Sequence, residues 1–405
     1  MTINTTRRQL LQSAVATGIG ALSGMSMIRG ASAAAMPTTL VVVHLEGGND
    51  TLNTVIPYAN SEYYRLRGTM AIPVADSLKL DGANAFHPAL VGLKSLWDRS
   101  RIAIVHGVGY PNFNYSHFQS KQAYWGADPT LTTRTGWLGR AVDEMAVVNP
   151  NIDILSAVTL ASETRPLSGQ RSIPVQVPYD LKQFYLGTSD AQQVAALKQL
   201  MSLPATTTST LRNRVLLNSQ TALRAYEKVK VAAGNTSSVA YPYGGISYHL
   251  RAAAQLMRSD PDIRVITVYQ SGFDHHANLL PNHRAQLVLL DAALKAFTDD
   301  LDSTGMSGRV LILLTSDFGR RVFPNGQAGA DHGAAQAMML IGPGVRPGVV
   351  GTAPLLTDAS MINNGNLPMQ FDFRQVYSTV LSGWLGVNAK NVLGGVDYPV
   401  LPLLF

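Results

Sequence analysis

The chain has 405 residues, 46% hydrophobic and 14% charged, a balance that is typical of a folded protein and excludes a disordered one. The formal net charge of +6 falls to +3 without the first 33 residues, because these hold Arg7, Arg8 and Arg29 and no acidic residue. No run of Lys or Arg remains, so we expect no nucleic-acid binding. The absence of cysteine excludes disulfides and thiolate metal ligands, so any metal must be held by carboxylates, imidazoles, hydroxyls or water.

The N-terminus has the pattern of a twin-arginine signal peptide. Arg7 and Arg8 precede a weakly apolar stretch over residues 14–28, and residues 31–33, Ala-Ser-Ala, are the small residues that signal peptidase accepts. The apolar stretch is too short, and too rich in Gly, Ser and Ala, to span a membrane comfortably. We predict that residues 1–33 are a signal peptide read by the twin-arginine export machinery. The mature protein would then be periplasmic or extracellular and carry no transmembrane segment. The alternative is a soluble N-terminal helix with a chance Arg pair.

The first strand is predicted over residues 38–45, a strongly β-branched run. It ends in a Gly-Gly turn rich in oxygen ligands, where the glycines let the backbone approach a ligand closely. Asp50 in this turn is a candidate metal ligand. The alternative interpretation is an Asx-type turn that caps the next helix.

A second strand is predicted over residues 101–105, and a loop of aromatic residues, Asn, Ser and His follows it. In this loop Ser116 is a candidate nucleophile with His117 beside it. Adjacent residues do not face each other on a helix, so His117 need not be its base. The alternative for Ser116 is the N-cap of the following helix. Residues 130–245 read as mainly helical, and we interpret them as an insertion or cap over the crevice.

Regular alternation of helix and strand returns after this section. We predict helices over residues 246–259, 283–301 and 372–385, and strands over residues 263–269, 310–314 and 337–341. The aliphatic run at 310–314 suits a strand buried on both faces of a parallel sheet. It ends at Asp317, and His332 follows after a glycine-rich loop.

Four predicted strand ends therefore carry polar clusters, and the carboxyl ends of parallel strands meet at one edge of a sheet. The side chains concerned are Asp50, Ser116, His117, Asp274, His275, His276, Asp317 and His332. Such a set matches a site for one or two divalent ions, with Zn, Mn, Mg and Ca as the candidates. The chain lacks a Gly-x-Ser-x-Gly elbow, a His-Glu-x-x-His helix and a Gly-x-x-x-x-Gly-Lys phosphate loop.

The order of motifs resembles a known bacterial exported family, the domain of unknown function 1501. The motifs are LVVVHLEGGNDTLNTVIPY, YPNFNYSHFQSKQAYW, TGWLGR, GFDHHANL and SDFGRRVFPNGQAGADHG. That family is similar in fold to the alkaline phosphatase and sulfatase superfamily. The resemblance implies one α/β domain over residues 34–405, an alkaline-phosphatase-like three-layer fold. Its central sheet would be mainly parallel, with helices on both faces and a helical insertion at 130–245.

The superfamily likeness also implies two-metal phosphoryl or sulfuryl transfer with a hydroxyl nucleophile. By position, Ser116 resembles the nucleophile, and the residues that resemble metal ligands are Asp50, Asp274, His276, Asp317 and His332. One departure is that alkaline phosphatases have His directly after the late Asp, where this chain has Phe318. We therefore expect the second metal site to be incomplete, weaker or missing. Arg320 or Arg321 could instead supply positive charge to an anionic substrate.

The leading prediction is an exported metal-dependent hydrolase that acts on a small phosphate or sulfate ester, with Ser116, His117 and Arg320 as catalytic residues. The alternative is a non-catalytic periplasmic protein that keeps the fold and binds a ligand or a partner. The presence of Phe318 is the best support for that alternative. A third hypothesis is a cofactor-free serine esterase that uses Ser116.

Overall fold

The computed structural model describes residues 37–405, except residues 151, 153, 204–209, 358–360 and 363. The predicted signal peptide lies outside the described residues. Residues 37–405 form one compact unit. A search of the described part of the chain finds no helix that is both long and apolar enough to cross a membrane.

Strands and helices alternate along most of the described chain. The strands are β1 (Thr39–Leu45), β2 (Val55–Ile56), β3 (Leu78–Lys79), β4 (Ala85–Phe86), β5 (Ile102–Gly109), β6 (Ala157–Thr159), β7 (Val175–Gln176), β8 (Val265–Gln270), β9 (Val310–Ser316), β10 (Gln336–Ile341), β11 (Gly348–Val350) and β12 (Phe371–Asp372). The helices are α1 (Thr51–Thr54), α2 (Ser61–Arg67), α3 (Val91–Asp98), α4 (His117–Gly126), α5 (Trp137–Val148), α6 (Ala191–Met201), α7 (Thr210–Ala233), α8 (Gly245–Ser259), α9 (Leu279–Ser303), α10 (Phe373–Val380) and α11 (Ala389–Val392).

The central sheet is mainly parallel, as predicted. Its strand order is β11-β5-β10-β9-β1-β8-β6-β7, and β12 also pairs with β5. Strand β10 runs antiparallel to both its neighbours, β5 and β9, whereas the other pairs of this sheet are parallel. The short strands β2, β4 and β3 form a separate antiparallel sheet.

Helices cover both faces of the central sheet, which gives three layers. Alternate side chains of β1 point to opposite faces, so Val41 and Val43 join one core and Leu40 and Val42 join the other. Helices α3, α7, α8 and α9 pack on the first face, and α4, α5, α10 and α11 pack on the second. All seven residues of β1 and of β9 are buried, as expected for inner strands of a parallel sheet.

Several element boundaries differ from the sequence predictions for identifiable reasons. Helix α9 begins at Leu279 instead of residue 283, because Pro281 falls in its first turn, where the missing N–H is harmless. Within the section expected to be mainly helical, residues Ala157–Thr159 form a strand, which follows a 3₁₀ turn at Ile154–Ser156. The closing helix changes at its end to a π-helical turn, Leu381–Leu385.

The section 130–245 contains helices α5, α6 and α7, and it also supplies two strands to the central sheet. Strand β6 pairs with β8, and β7 extends the same edge. Its role as a cap over the crevice stays a prediction.

The topology determines where a site can form. Strands β1, β5, β8 and β9 are parallel, so their carboxyl ends share one edge of the sheet. Strand β10 is antiparallel and therefore starts at that edge, which brings the loop between β9 and β10 to the same place. In open α/β sheets this edge is where ligands bind.

Candidate metal site

Three loops at this edge bring four potential metal ligands together. His117 follows β5, Asp274 and His276 follow β8, and His332 lies in the loop between β9 and β10. One donor atom each from His117, Asp274 and His332 lies within 4.8 Å of the other two. His276 adjoins two members of this set.

The separations of these donor atoms have the scale of a metal coordination shell. Nε2 of His332 is 3.0 Å from Nε2 of His117, 2.8 Å from Nε2 of His276 and 3.2 Å from Oδ1 of Asp274. The same Oδ1 is 3.0 Å from Nε2 of His276 and 3.5 Å from Nε2 of His117. Ligands bound at about 2.0–2.1 Å from one zinc ion lie roughly 3 Å apart at angles of about 90–110°.

The other nitrogen of each imidazole faces an oxygen acceptor. Nδ1 of His332 is 2.6 Å from the carbonyl oxygen of Tyr115, and Nδ1 of His117 is 2.7 Å from Oδ2 of Asp317. Nδ1 of His276 is 3.4 Å from Oδ1 of Asp331. In His117 and His332 these close acceptors favour the tautomer with the ring proton on Nδ1 and a lone pair on Nε2. Two such Nε2 atoms facing each other form an arrangement that a bound cation would stabilise.

Asp317 lies behind the cluster and not in it. Its Oδ1 is 2.5 Å from Nε2 of His44, and its Oδ2 accepts hydrogen bonds from the backbone N–H of Gly47, at 3.0 Å, and from His117. The sequence analysis assigned Asp317 to the metal directly. In the structure both carboxylate oxygens face protein donors, which is the position of a residue that orients a ligand, and direct coordination of a metal by Asp317 stays a prediction. Asp317 orients the ligand His117.

Gly47 shows why the loop after β1 requires a glycine. Its φ is +113°, and a Cβ atom there would lie 2.5 Å from the backbone nitrogen of Asp274. The loop after β1 therefore passes directly against the loop after β8. This close approach lets the Gly47 N–H reach Asp317.

Arg320 is a buried structural support for the cluster. Its Nη2 is 2.6 Å from Oδ1 of Asp274, and its Nε and Nη1 donate hydrogen bonds to the carbonyl oxygens of Gly48 and Ala330, each at 2.8 Å. Nη2 also donates to the carbonyl oxygen of Gly47. The residue is 1% exposed. This geometry corrects the predicted contact between Arg320 and an anionic substrate, because its donors already face protein acceptors.

Asp50 forms a buried ion pair with Arg67 at the start of α1. The side chains are 1% and 0% exposed. Asp50 is outside the group of converging donors, so the structure does not bring this predicted ligand to the cluster.

Ser116 is the N-cap of α4. Its Oγ accepts a hydrogen bond from the backbone N–H of Gln119 at 3.4 Å, and its own N–H donates to Oδ1 of Asn114. This arrangement agrees with the capping interpretation. It also places the hydroxyl one residue before the ligand His117.

Phe318 packs directly on the cluster. Its ring centroid is 4.7 Å from that of His117 and 4.8 Å from that of His332, and the residue is 3% exposed. The superfamily likeness implies a further imidazole at position 318. In this chain the side chain at that position is apolar, and it packs against two candidate metal ligands.

The protonation states of the cluster suit a cation. Burial acts to raise the pKa of Asp274, but the hydrogen bond and charge of Arg320, with His276 and His117, outweigh it and lower the pKa to about 2. Burial also opposes ionisation of Asp317, but hydrogen bonds from His117 and His44 lower its pKa. Burial lowers the pKa of His332. At neutral pH both carboxylates are charged and His332 is neutral, as metal ligation requires.

Sequence reasoning missed His44 and the carbonyl of Tyr115. His44 is an imidazole inside an otherwise aliphatic, fully buried strand, and that contrast was a usable signal. The carbonyl of Tyr115 gives no side-chain signal. Its role follows from the fold alone.

The sequence comparison establishes the family. The family model described as "Protein of unknown function (DUF1501)" matches residues 104–396, more than half of the chain, and the chain belongs to this family. This confirms the resemblance recognised from the motifs. No curated protein matches the chain in sequence.

Several solved structures are similar to this one over much of its length. The C-terminal periplasmic domain of EcEptC from Escherichia coli, in complex with Zn, has a TM-score of 0.36 and 10% identity, covering 76% of this chain and 73% of that one. A protein in the alkaline phosphatase superfamily from Vibrio parahaemolyticus has a TM-score of 0.34 and 10% identity, covering 78% and 62%. The PsFucS1 sulfatase from Pseudoalteromonas sp. has a TM-score of 0.35 and 10% identity, covering 90% and 73%.

Proposed function

We propose that this protein is an exported hydrolase of phosphate or sulfate esters that depends on a divalent metal ion. One observation carries the proposal. Three donor atoms converge: Nε2 of His117, Nε2 of His332 and Oδ1 of Asp274. The oxygen acceptors that face the Nδ1 atoms of the two histidines lie outside this cluster. Coordination by these three side chains, with His276 beside them, would leave a fourth position open, which is the pattern of a catalytic metal site.

The donor set favours zinc over magnesium and calcium. Two or three imidazoles and one carboxylate suit zinc, whereas magnesium and calcium prefer oxygen ligands. A divalent ion here would act as a Lewis acid on an ester oxygen. Three carboxylates, those of Asp274, Asp317 and Asp331, outnumber the buried guanidinium of Arg320. A divalent ion would offset the negative charge that otherwise repels an anionic ester.

The chain's own residues supply orientation around such an ion. Asp317 and the Tyr115 carbonyl hold the imidazoles of His117 and His332, and Arg320 holds Asp274. Ser116 stands next to His117 in the chain, and its hydroxyl is the candidate nucleophile. We also propose that residues 1–33 direct export to the periplasm. Replacing Arg7 and Arg8 by Lys should retain the protein in the cytoplasmic fraction.

The proposal of a metal-dependent hydrolase can be tested on protein that is purified without a chelator. We expect about one zinc ion per chain by elemental analysis, and zinc-dependent turnover of phosphate or sulfate esters. His332→Ala should lose both, whereas the matched control His249→Ala, at a half-buried histidine outside the cluster, should keep both. A wild-type protein that neither contains nor takes up Zn²⁺, Mn²⁺ or Mg²⁺ would overturn the proposal.

A non-catalytic ligand-binding protein is the second candidate, and a specific observation favours it. Ser116 caps a helix and Arg320 is buried, so two groups that the sequence analysis predicts to be catalytic have structural roles. In that case the protein should bind zinc and an inorganic anion but turn over no ester. Hydrolysis that disappears in Ser116→Ala would exclude this candidate.

A further inference from the structure

Arg321 is a cation beside the candidate metal site, and its guanidinium has no hydrogen-bond acceptor among the described residues. Its Nε atom is buried, whereas the side chain as a whole is only half-buried. The neighbouring Arg320 differs, because its donors face backbone carbonyl oxygens. A buried N–H group without an acceptor costs free energy, and a bound anion would remove that cost by accepting a charge-assisted hydrogen bond.

The guanidinium of Arg321 is held in one place. Its Cζ atom lies 5.2 Å from the centre of the Tyr115 ring, and the hydroxyl of Tyr115 accepts a hydrogen bond from Nδ2 of Asn366 at 3.1 Å. The backbone N–H of Arg321 donates to the carbonyl oxygen of Asp331 at 3.0 Å, and its carbonyl oxygen accepts from Nη1 of Arg67 at 3.3 Å. A guanidinium fixed in this way loses little conformational entropy when it binds an anion.

Arg321 belongs to the layer around the converging donors and not to the donors themselves. Tyr115, which carries the guanidinium on its ring, also faces Nδ1 of His332 with its carbonyl oxygen at 2.6 Å. Asp331, the backbone partner of Arg321, faces Nδ1 of His276 at 3.4 Å. Both contacts are made on the Nδ1 sides of the imidazoles, away from the converging Nε2 atoms. The guanidinium therefore lies beside the metal position.

The surface between Arg321 and the cluster is open to solvent. The side chains of Asp331, His276 and Asp274 are 49%, 42% and 49% exposed. Arg321 is close to this surface, since its charge helps to lower the pKa of Asp331, after hydrogen bonds from Asn325 and His276. A ligand that lies on this surface can contact the cluster and Arg321 together. Asp331 offsets part of the charge of Arg321, so hydrogen bonds must contribute to the recognition of an anion here.

We propose that Arg321 binds a second anionic group of the substrate, separate from the ester group at the metal position. The inference rests on the proposed hydrolase and narrows its substrates to esters that carry a further phosphate, sulfate or carboxylate. Arginine suits this role because its planar fork can donate two parallel hydrogen bonds to one such group. A substrate with a single anionic group would leave the guanidinium to water.

The test measures binding to the zinc-loaded protein with probes that cannot be hydrolysed. The probes are α,ω-alkane bisphosphonates of increasing chain length, each compared with the alkylphosphonate of the same length by isothermal titration calorimetry. Arg321→Gln removes the charge, and Arg321→Lys keeps the charge without the fork. The matched control is Arg346→Gln, since Arg346 also lies over an aromatic ring, 6.0 Å from the centre of Phe405, but follows the far end of β10.

The wild type should bind the best-fitting bisphosphonate at least about tenfold more tightly than the matching alkylphosphonate. Arg321→Gln should abolish this preference without changing the affinity for the alkylphosphonate, and Arg321→Lys should keep part of the preference. Arg346→Gln should keep all of it. A wild type without the preference, or a preference that persists in folded Arg321→Gln, would overturn the inference.

Turnover of the corresponding phosphate esters separates this inference from the proposed hydrolase. Arg321→Gln should raise KM for an alkanediol bisphosphate and leave kcat unchanged, because the lost contact is the same in the ground state and the transition state. A preference for the bisphosphonate without any ester turnover would keep the Arg321 assignment and reject the hydrolase. Ester turnover without that preference would reject the assignment and keep the hydrolase.

Discussion

Nδ1 of His117 lies 2.7 Å from Oδ2 of Asp317, and Oδ1 of the same carboxylate lies 2.5 Å from Nε2 of His44. The carboxylate is 1% exposed, so its charge is balanced by these donors and not by solvent. A buried carboxylate in this position fixes the tautomer and the ring orientation of a metal-binding histidine. The chain His44–Asp317–His117 therefore connects the inner strand β1 to the candidate metal site.

Asp317→Asn should weaken zinc binding about 10–100-fold, because the amide removes the charge and can no longer accept hydrogen bonds on both of its heavy atoms. The measurement is a competition titration against a chromophoric chelator. Asp331→Asn is the matched control, since Asp331 lies 3.4 Å from Nδ1 of His276 and its side chain is 49% exposed. Equal losses of zinc affinity in the two variants would show that the buried chain His44–Asp317–His117 has no special role in zinc binding.

The fold could largely be predicted because its inner strands are aliphatic runs that end in glycine-rich turns. β1 and β9 are buried along their full length, so their sequences carry one uniform signal. The direction of β10 could not be predicted, because an inner strand that is buried on both faces has the same hydrophobic pattern in either direction. Strands of two or three residues, such as β7, are determined by their neighbours in the sheet.

The site could be located from sequence, but the roles within it could not be assigned. Asp274 and His332 do converge, as predicted from the sharing of one sheet edge. Asp317 and Asp50 have the same side chain and a similar position after a strand, yet one orients a histidine and the other pairs with Arg67. These roles depend on which donor lies within about 3 Å, and sequence does not specify that distance.

Ser116 can be tested for its two roles separately. Ser116→Ala should lower the free energy of unfolding by about 1 kcal/mol, because α4 loses its N-cap, and Ser116→Asn should restore most of it. If the hydroxyl is also the nucleophile, both variants should lose ester turnover. Chemical denaturation and steady-state kinetics check the two effects. Full ester turnover in Ser116→Asn would show that Ser116 acts only as the N-cap of α4.

Acid should destabilise the protein through buried histidines outside the candidate metal site, among them His87 and His106. Burial lowers the pKa of His87 and of His106 to about 4. The unfolded value is about 6.5, so between pH 6.5 and 4 the unfolded chain binds more protons than the folded chain. The stability that these groups contribute is complete above pH 6.5 and is lost as the pH falls towards 4, by about 3 kcal/mol for each group.

His106→Gln should make this loss of stability with falling pH shallower, because it removes one of the titrating groups. The Gln side chain can still donate a hydrogen bond to Asn84, whose Oδ1 faces Nε2 of His106 at 2.9 Å. The free energy of unfolding is measured by urea denaturation from pH 7 to pH 4.5. The metal-free protein is used, so that the candidate metal ligands contribute equally to the wild type and the variant. Identical pH slopes would mean that His106 is not protonated on unfolding in this range.

The Asp50–Arg67 pair provides a test that separates stability from metal binding. Both side chains are buried, so Arg67→Met leaves the Asp50 carboxylate without its partner and should lower the free energy of unfolding by about 3–5 kcal/mol. The double variant Asp50→Asn, Arg67→Met should recover much of this loss, because no buried charge remains. Zinc affinity of folded Asp50→Asn should stay within about twofold of wild type, since Asp50 is outside the converging donors. A loss of affinity as large as that of His332→Ala would instead return Asp50 to the metal-ligand role that the superfamily likeness implies.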